Sequence, residues 1–203
     1  RPVLNRGASM IYTVITSIQP PTEAVVGFAK FELNNVIVVG DKKTPANWDF
    51  ADVRYISVAE QDAMQYALGK CLPYNHYSRK MFGYLEAIKN GAQVIVDTDD
   101  DNIPNEDWSL PPFEGEQYCI PDDKGFINVY ELYTNQRIWP RGLPLKYINR
   151  TTLDQSELSK QTVKVGIWQG LADGDPDVDA IYRLTNNQAC YFENNQCYVL
   201  GKD

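Results

Sequence analysis

The chain has 203 residues, enough for one domain with a substantial core, or a domain and a subdomain. Its hydrophobic content of 43% and aromatic content of 12% are those of a folded globular protein and exclude a disordered one. A net charge of −8 excludes nucleic acid as the main partner, yet leaves room for a nucleotide held by local cations and a metal.

No run approaches the roughly 20 apolar residues of a membrane span. The opening RPVLNRGAS has no apolar core and does not read as a secretory signal. The elements then alternate. MIYTVITS (10–17) is a β-branched strand ending in small polar residues, and PPTEAVVGFAKFEL (20–33) starts with prolines and continues at helical spacing. NNVIVVGD (34–41) and VRYISV (53–58) read as short strands, the first buried and closed by Gly40-Asp41. AEQDAMQYALGKCL (59–72) and HYSRKMFGYLEAIKN (76–90) read as helices, the second closed by Asn90-Gly91. QVIVD (93–97) is a fourth strand.

Strand–helix alternation predicts an α/β fold, a mostly parallel sheet with helices on its faces. From about residue 104 the composition shifts to proline, glycine and aromatic residues, as in PPFEGEQY, IPDDKGF and IWPRGLPL. These predict loops and short, antiparallel strands. No internal repeat or low-complexity linker divides the chain, so the expectation is one domain with an α/β front half and an irregular back half. The end, CYVLGKD, stops directly after a strand-like run and reads as a chain whose fold continues.

Four cysteines leave the redox compartment open. Cys190 and Cys197 flank YFENNQ, where Asn194-Asn195 favours a tight turn, so a disulfide across a hairpin and two free thiols are both open. Asn149-Arg150-Thr151 is a glycosylation sequon.

The charge pattern is most unusual at QVIVDTDDDNIP (93–104), where four aspartates occupy five positions at the end of an apolar run. Like charges this close repel, so a positive group is expected among them. Ligands in open α/β sheets bind outside the carboxyl ends of the strands, and hard carboxylate oxygens there suit Mg²⁺ or Mn²⁺ bridged to phosphates. A solvated acidic turn and an aspartyl nucleophile of phosphatase type are the other readings. An EF-hand fits at Asp97, Asp99 and Asp101 but fails at Asn102, Pro104 and Trp108. Strand alternation sends Asp97, Asp99 and Asp101 to one side and Asp100 away.

YNHYSRKMFGYLEAIKNGAQVIVDTDDDNIP, IWPRGLPL and WQGLADGDPDVDAIYRLT together resemble the STELLO-like family of GT-A-type glycosyltransferases, best known from plant Golgi membranes. The resemblance runs from about Ile11 to the last residue. It implies a GT-A fold with a donor-binding part near 10–104 and an acceptor-side part near 105–203, in the Golgi lumen or secretory pathway. It also implies Mn²⁺ or Mg²⁺ bridging a DxD motif and the diphosphate of a nucleotide-sugar, a UDP-sugar being favoured, with a glycan or glycoconjugate as acceptor. Asp101 is then the first choice for the metal and Asp99 the second. Asp97-Thr98-Asp99 is also a DxD, so Asp97 stays a third candidate, and Asp99 and Asp100 are also placed at the nucleotide-sugar.

Thr16 and Ser17 end the first strand where such folds touch the nucleotide, and Asp41 closes the second where the base is read; turn formation is the simpler alternative. Arg79 and Lys80, in the helix before the DxD strand, are candidates to neutralise the diphosphate, against a surface salt bridge. LADGDPDVDAIYRLT (171–185) is a second acidic cluster, in which Asp177 or Asp179 is a candidate catalytic base, or else an Asp-rich turn caps the next segment. Arg183 is expected to pair with one of these carboxylates. His76 is the sole histidine, which excludes multi-histidine zinc sites. No later histidine can serve as the further metal ligand that GT-A enzymes often use. A nucleotide-sugar mutase and a non-catalytic scaffold associated with other glycan-synthesis proteins are the rival functions.

Overall fold

The computed structural model describes residues 10–31, 34–149, 152–186, 188–193 and 196–200. The chain packs as two compact units, Arg1–Trp108 and Ser109–Asp203. The first is the expected α/β layer. Its strands β1 (Ile11–Thr16), β2 (Asn34–Val39), β3 (Val53–Ile56) and β4 (Val94–Asp97) form one parallel sheet in the order β3-β2-β1-β4. Helix α1 (Glu23–Ala29) connects β1 to β2, and helices α2 (Val58–Ala63) and α3 (Met81–Lys89) lie between β3 and β4. This is a mixed α/β architecture of the GT-A-like, Rossmann type.

The sheet is buried on both faces because its strands alternate between two apolar clusters. Val14, Ile37, Val39 and Ile56 pack with Phe82 and Ala87 of α3 on one side. Ile15, Val36 and Val38 pack with Val25, Phe28 and Trp48 on the other. Helix α3 lies close to the sheet because Gly83 faces it. A Cβ at Gly83 would fall on Val14 Cγ1 and come within 2.9 Å of Val39 Cγ2. The helix ends as its sequence predicts. Asn90 is its C-cap, Gly91 adopts φ +84°, and the Ala92 N–H reaches back to the Ala87 carbonyl at 3.0 Å.

All three expected helices are shorter than their sequence pattern, the first, expected at 20–33, being helical over Glu23–Ala29. The segment predicted as 59–72 stops as an α-helix at Ala63; Gln65 has φ +52°, which interrupts the turn, and only a 3₁₀ turn, Ala67–Lys70, follows. The segment predicted as 76–90 begins with a 3₁₀ turn over Tyr77–Lys80, capped by the His76 ring, and is α-helical only from Met81.

The second unit is built mainly from turns and short 3₁₀ segments around a three-stranded sheet, ordered β6-β5-β7. Strand β5 (Glu114–Cys119) pairs antiparallel with β6 (Ser159–Lys164) and parallel with β7 (Tyr198–Val199). Its one α-helix among the described residues is α4 (Ala180–Thr185). Of the two readings for Cys190 and Cys197, the structure shows the free thiols. Cys190 bridges to Gly174, and Cys197 leads into β7 beside β5. Asn194 and Asn195, and Arg150 and Thr151 of the sequon, lie outside the described residues.

Gly83→Ala tests the close helix–sheet contact. Alanine favours helix by up to about 1 kcal/mol over glycine, but two branched, buried side chains occupy the space. The expected net result is a loss of about 1–3 kcal/mol in urea unfolding; unchanged or raised stability would contradict the packing.

Candidate functional site

The strand order reverses direction at β1, since the chain runs β1, β2, β3 to one side and then returns to place β4 on the other. In open α/β sheets the crevice at such a switch point, at the carboxyl ends of the strands, is where ligands bind. The aspartate run emerges there, directly after β4.

Lys80 is the positive group that the run requires. Its ammonium donates to Asp97 Oδ1 at 2.7 Å, the Thr98 carbonyl at 2.8 Å and Asp99 Oδ1 at 3.0 Å. An ammonium has three N–H donors, so all of them are in use. The Lys80 side chain is 10% exposed, whereas those of Asp97 and Asp99 are 62% and 70% exposed. Tyr84, one helical turn after Lys80, hydrogen-bonds Asp97 as well. Burial, then that hydrogen bond and the charges of Asp97 and Asp99, push its hydroxyl well above the usual tyrosine range, so it stays a donor.

Asp100 turns to the neighbouring strand and accepts a short hydrogen bond from the Ser17 hydroxyl, which ties the end of β1 to the loop after β4 across the switch point. Thr16, half-buried, is the last residue of β1. Asp101 is exposed, and no side-chain hydrogen bond or ion pair holds it among the described residues. The alternation expected from the sequence therefore holds through Asp99, with Asp100 pointing elsewhere.

Asp41 lies at the end of β2, but both its oxygens hold backbone. Oδ1 accepts from the Lys42 N–H at 2.7 Å and Oδ2 from the His76 N–H at 3.1 Å. Thr44 completes this corner by donating to the Ser17 carbonyl at 2.7 Å and accepting from the Asp41 N–H at 2.8 Å. His76 stacks on Tyr77, whose ring is exposed, and its Nδ1 accepts from the Ser78 N–H.

Arg79 departs from its expected place at the diphosphate. It is 1% exposed, with Nε donating to Gln61 Oε1 at 2.8 Å, Nη1 to the Leu72 carbonyl at 3.3 Å, and Asp62 3.7 Å from Nη2. Its guanidinium lies against the rings of Tyr74 and Phe82. Successive residues in a helical turn point in different directions, so when Lys80 faces the strand ends Arg79 faces the core. Gln61, 1% exposed, fastens this network to the sheet by donating to the Gly40 and Ile56 carbonyls. Tyr84 could have been found from its i+4 spacing to Lys80; nothing in the sequence marks Gln61.

The second acidic cluster belongs to the other unit, and each of its carboxylates has a partner. Asp173 accepts from the Phe192 N–H at 2.8 Å. Asp175 pairs closely with Arg183, as expected of that arginine. Asp177 pairs with Arg141 at 3.1 Å in an exposed contact. Asp179 is the N-cap of α4, accepting from the Ile181 N–H at 2.8 Å. The segment is pinned to IWPRGLPL, since Pro140 bridges Val178 and the Asp179 N–H donates to the Trp139 carbonyl at 2.7 Å.

Among the described residues no three carboxylate, histidine or cysteine side chains converge into a ready cation cage. Lys80 and Ser17 hold the aspartates in different directions. The donor set nonetheless suits a hard dication in kind, because Asp99 keeps an oxygen outside its Lys80 contact and Asp101 keeps both.

A parallel sheet carrying an acidic loop at its switch point fits a GT-A-like, Rossmann-type fold. No protein-family model matches the chain. It is 29% identical over 188 residues to "Probable glycosyltransferase STELLO2" of Arabidopsis thaliana, and 28% identical over 187 residues to "Probable glycosyltransferase STELLO1" of the same plant. Each match covers 86% of this chain and 24% of the relative, so the chain spans about a quarter of their length. The similarity agrees with the STELLO-like resemblance carried by the three motifs. No helix among the described residues is long and apolar enough to cross a membrane.

The double substitution Asp97→Asn with Asp99→Asn leaves the Lys80 ammonium in place without a countercharge. It is expected to lower stability in urea by about 3 kcal/mol, whereas Asp101→Ala should change it by less than about 0.5 kcal/mol. Equal effects would show that Lys80 does not depend on these two carboxylates.

Proposed function

We propose that the chain is part of a metal-dependent glycosyltransferase, with its donor-binding part near residues 10–104, that moves a sugar from a nucleotide-sugar, a UDP-sugar being favoured, to a glycan or glycoconjugate. The observation that carries this reading is the aspartate loop at the β1/β4 switch point, held by Lys80 and Ser17, in a chain similar to two proteins named as probable glycosyltransferases. The family resemblance supports a setting in the secretory pathway.

Asp99 and Asp101 are the residues that would hold Mn²⁺ or Mg²⁺, which supplies Lewis-acid stabilisation for a departing nucleotide diphosphate when bound. Asp97, engaged by both Lys80 and Tyr84, acts on the loop and not on the ligand. Lys80 has no N–H left for a phosphate, so its part is to orient the two carboxylates. Ser17, held by Asp100 and by the Gln19 N–H, fixes the loop above β1. Thr16 and the Asp41 corner border the nucleotide. For the acceptor's proton, Asp177 is a better base than Asp179: its partner Arg141 is exposed, whereas Asp179 caps a helix.

Titration calorimetry with UDP, GDP and CMP, each with and without Mn²⁺, tests the donor reading. UDP should bind only with Mn²⁺, and Asp99→Ala or Asp101→Ala should weaken it at least about tenfold. Binding of none of the three leaves the scaffold reading instead, and ring isomerisation of a UDP-sugar without acceptor would establish a mutase. In a transfer assay, Asp177→Asn should lower kcat by about 100-fold or more. Asp179→Asn, whose amide oxygen still caps α4, should leave it near wild type; the reverse pattern would move the base to Asp179.

A further inference from the structure

We infer that Asn149 is the acceptor of an N-linked glycan, its amide nitrogen left open because Arg137 engages the amide oxygen. The inference rests on the secretory setting proposed above and uses none of the donor-site residues.

Asn149-Arg150-Thr151 is the only N-x-S/T triplet in the sequence, and its middle residue is not proline. A triplet alone does not separate an acceptor asparagine from a structural one, but the use of the amide does. Elsewhere in the chain the asparagine Nδ2 is spent on backbone carbonyls: Asn34 on Phe28, Asn35 on Ile11, Asn90 on Glu86 and Asn128 on Ile138. Asn149 is exposed and its amide is used the other way round. Its Oδ1 accepts a close hydrogen bond from Arg137 Nη2. A guanidinium donates and cannot accept, so the amide atom that meets it is the oxygen. Nδ2 then has no partner among the described residues.

The chain is anchored on both sides of the triplet. Arg137 donates from Nε and Nη2 to the Ile148 carbonyl at 3.2 and 2.7 Å. Thr152 donates its N–H to Glu131 Oε2 at 3.0 Å, and its Oγ1 accepts from the Asn128 N–H at 2.6 Å. An exposed aromatic surface lies close by in the chain: Phe126, 53% exposed, packs on Tyr147, two residues before Asn149. Such a surface suits the apolar C–H face of a pyranose.

The step joins Asn149 Nδ2 to C1 of the innermost N-acetylglucosamine of a lipid-linked oligosaccharide. The C1–O bond to the lipid diphosphate breaks, the diphosphate leaves with the electron pair, and the amide nitrogen gives up one proton. Oδ1 takes no part, so its bond to Arg137 survives. A glycan there is bulky and solubilising and keeps this face of the second unit to water.

The test is expression of the full chain behind an added secretion signal in a eukaryotic host, with cells and medium both treated with peptide-N-glycosidase. Wild type should run with the mobility shift of one glycan. The glycosidase should remove that shift and leave aspartate at position 149, which peptide mass spectrometry reads. Asn149→Gln and Thr151→Ala should lose the shift, and Thr151→Ser should keep it, because the triplet requires a hydroxyl at its third position. Thr151→Ala leaves the contact between Asn149 and Arg137 in place, so loss of the glycan there is not a loss of that contact. A wild type without a glycan overturns the inference and leaves the transferase reading standing, since nucleotide binding tests that reading separately. A shift that survives Asn149→Gln overturns it as well, because another residue is then the acceptor.

Discussion

One buried ammonium makes the tip of the first unit possible. Four carboxylates within five residues repel, and the strand that delivers them lies beside β1, whose own core residues are almost wholly buried. Water alone can solvate exposed carboxylates, but it does not align them. Lys80 does both, since its three donors meet two carboxylates and the intervening carbonyl. The pairing is asymmetric. The carboxylates keep most of their contact with water and the lysine keeps little, so their loss harms the lysine more than its loss harms them.

That one contact depends on the layers beneath it. Lys80 reaches the strand ends because α3 sits close to the sheet, which Gly83 permits, and because Arg79 anchors the preceding turn. Arg79 in turn depends on Gln61, which holds the carbonyls at the ends of β2 and β3. A path of packed and hydrogen-bonded groups thus runs from the far side of the sheet to the acidic loop. Ser17 and Thr44 close the same corner from β1 and β2. The corner is thus held by the chain's own contacts.

The two acidic clusters look alike in sequence and differ in what they touch. At 97–101 two carboxylates meet a lysine and a third a serine, and Asp99 and Asp101 present oxygens to solvent. At 173–179 each carboxylate serves a backbone N–H or an arginine, and the cluster joins two irregular segments. Aspartate is suited to both uses because its short side chain reaches its own or nearby backbone, as a cap or a turn, as readily as it reaches a ligand. Composition cannot tell these apart. Position can: one cluster follows a parallel strand at a switch point, and the other precedes a helix of six residues.

The sequence by itself determined the four parallel strands, the helix end at Asn90-Gly91, the place of the aspartates at a strand end and the need for a cation among them. These follow from period-two burial, from glycine's access to positive φ and from the repulsion of like charge, all of which act within a few residues. Tertiary structure alone decided which of Arg79 and Lys80 became that cation, that Gln61 would be buried to hold the other, and that Asp41 would bind backbone. It also placed Cys190 against Gly174 and not across from Cys197. The physical reason is the same in each case. Adjacent residues on one turn point to different surroundings, and those surroundings are assembled from segments up to tens of residues away, so no local pattern records which side chain meets which partner.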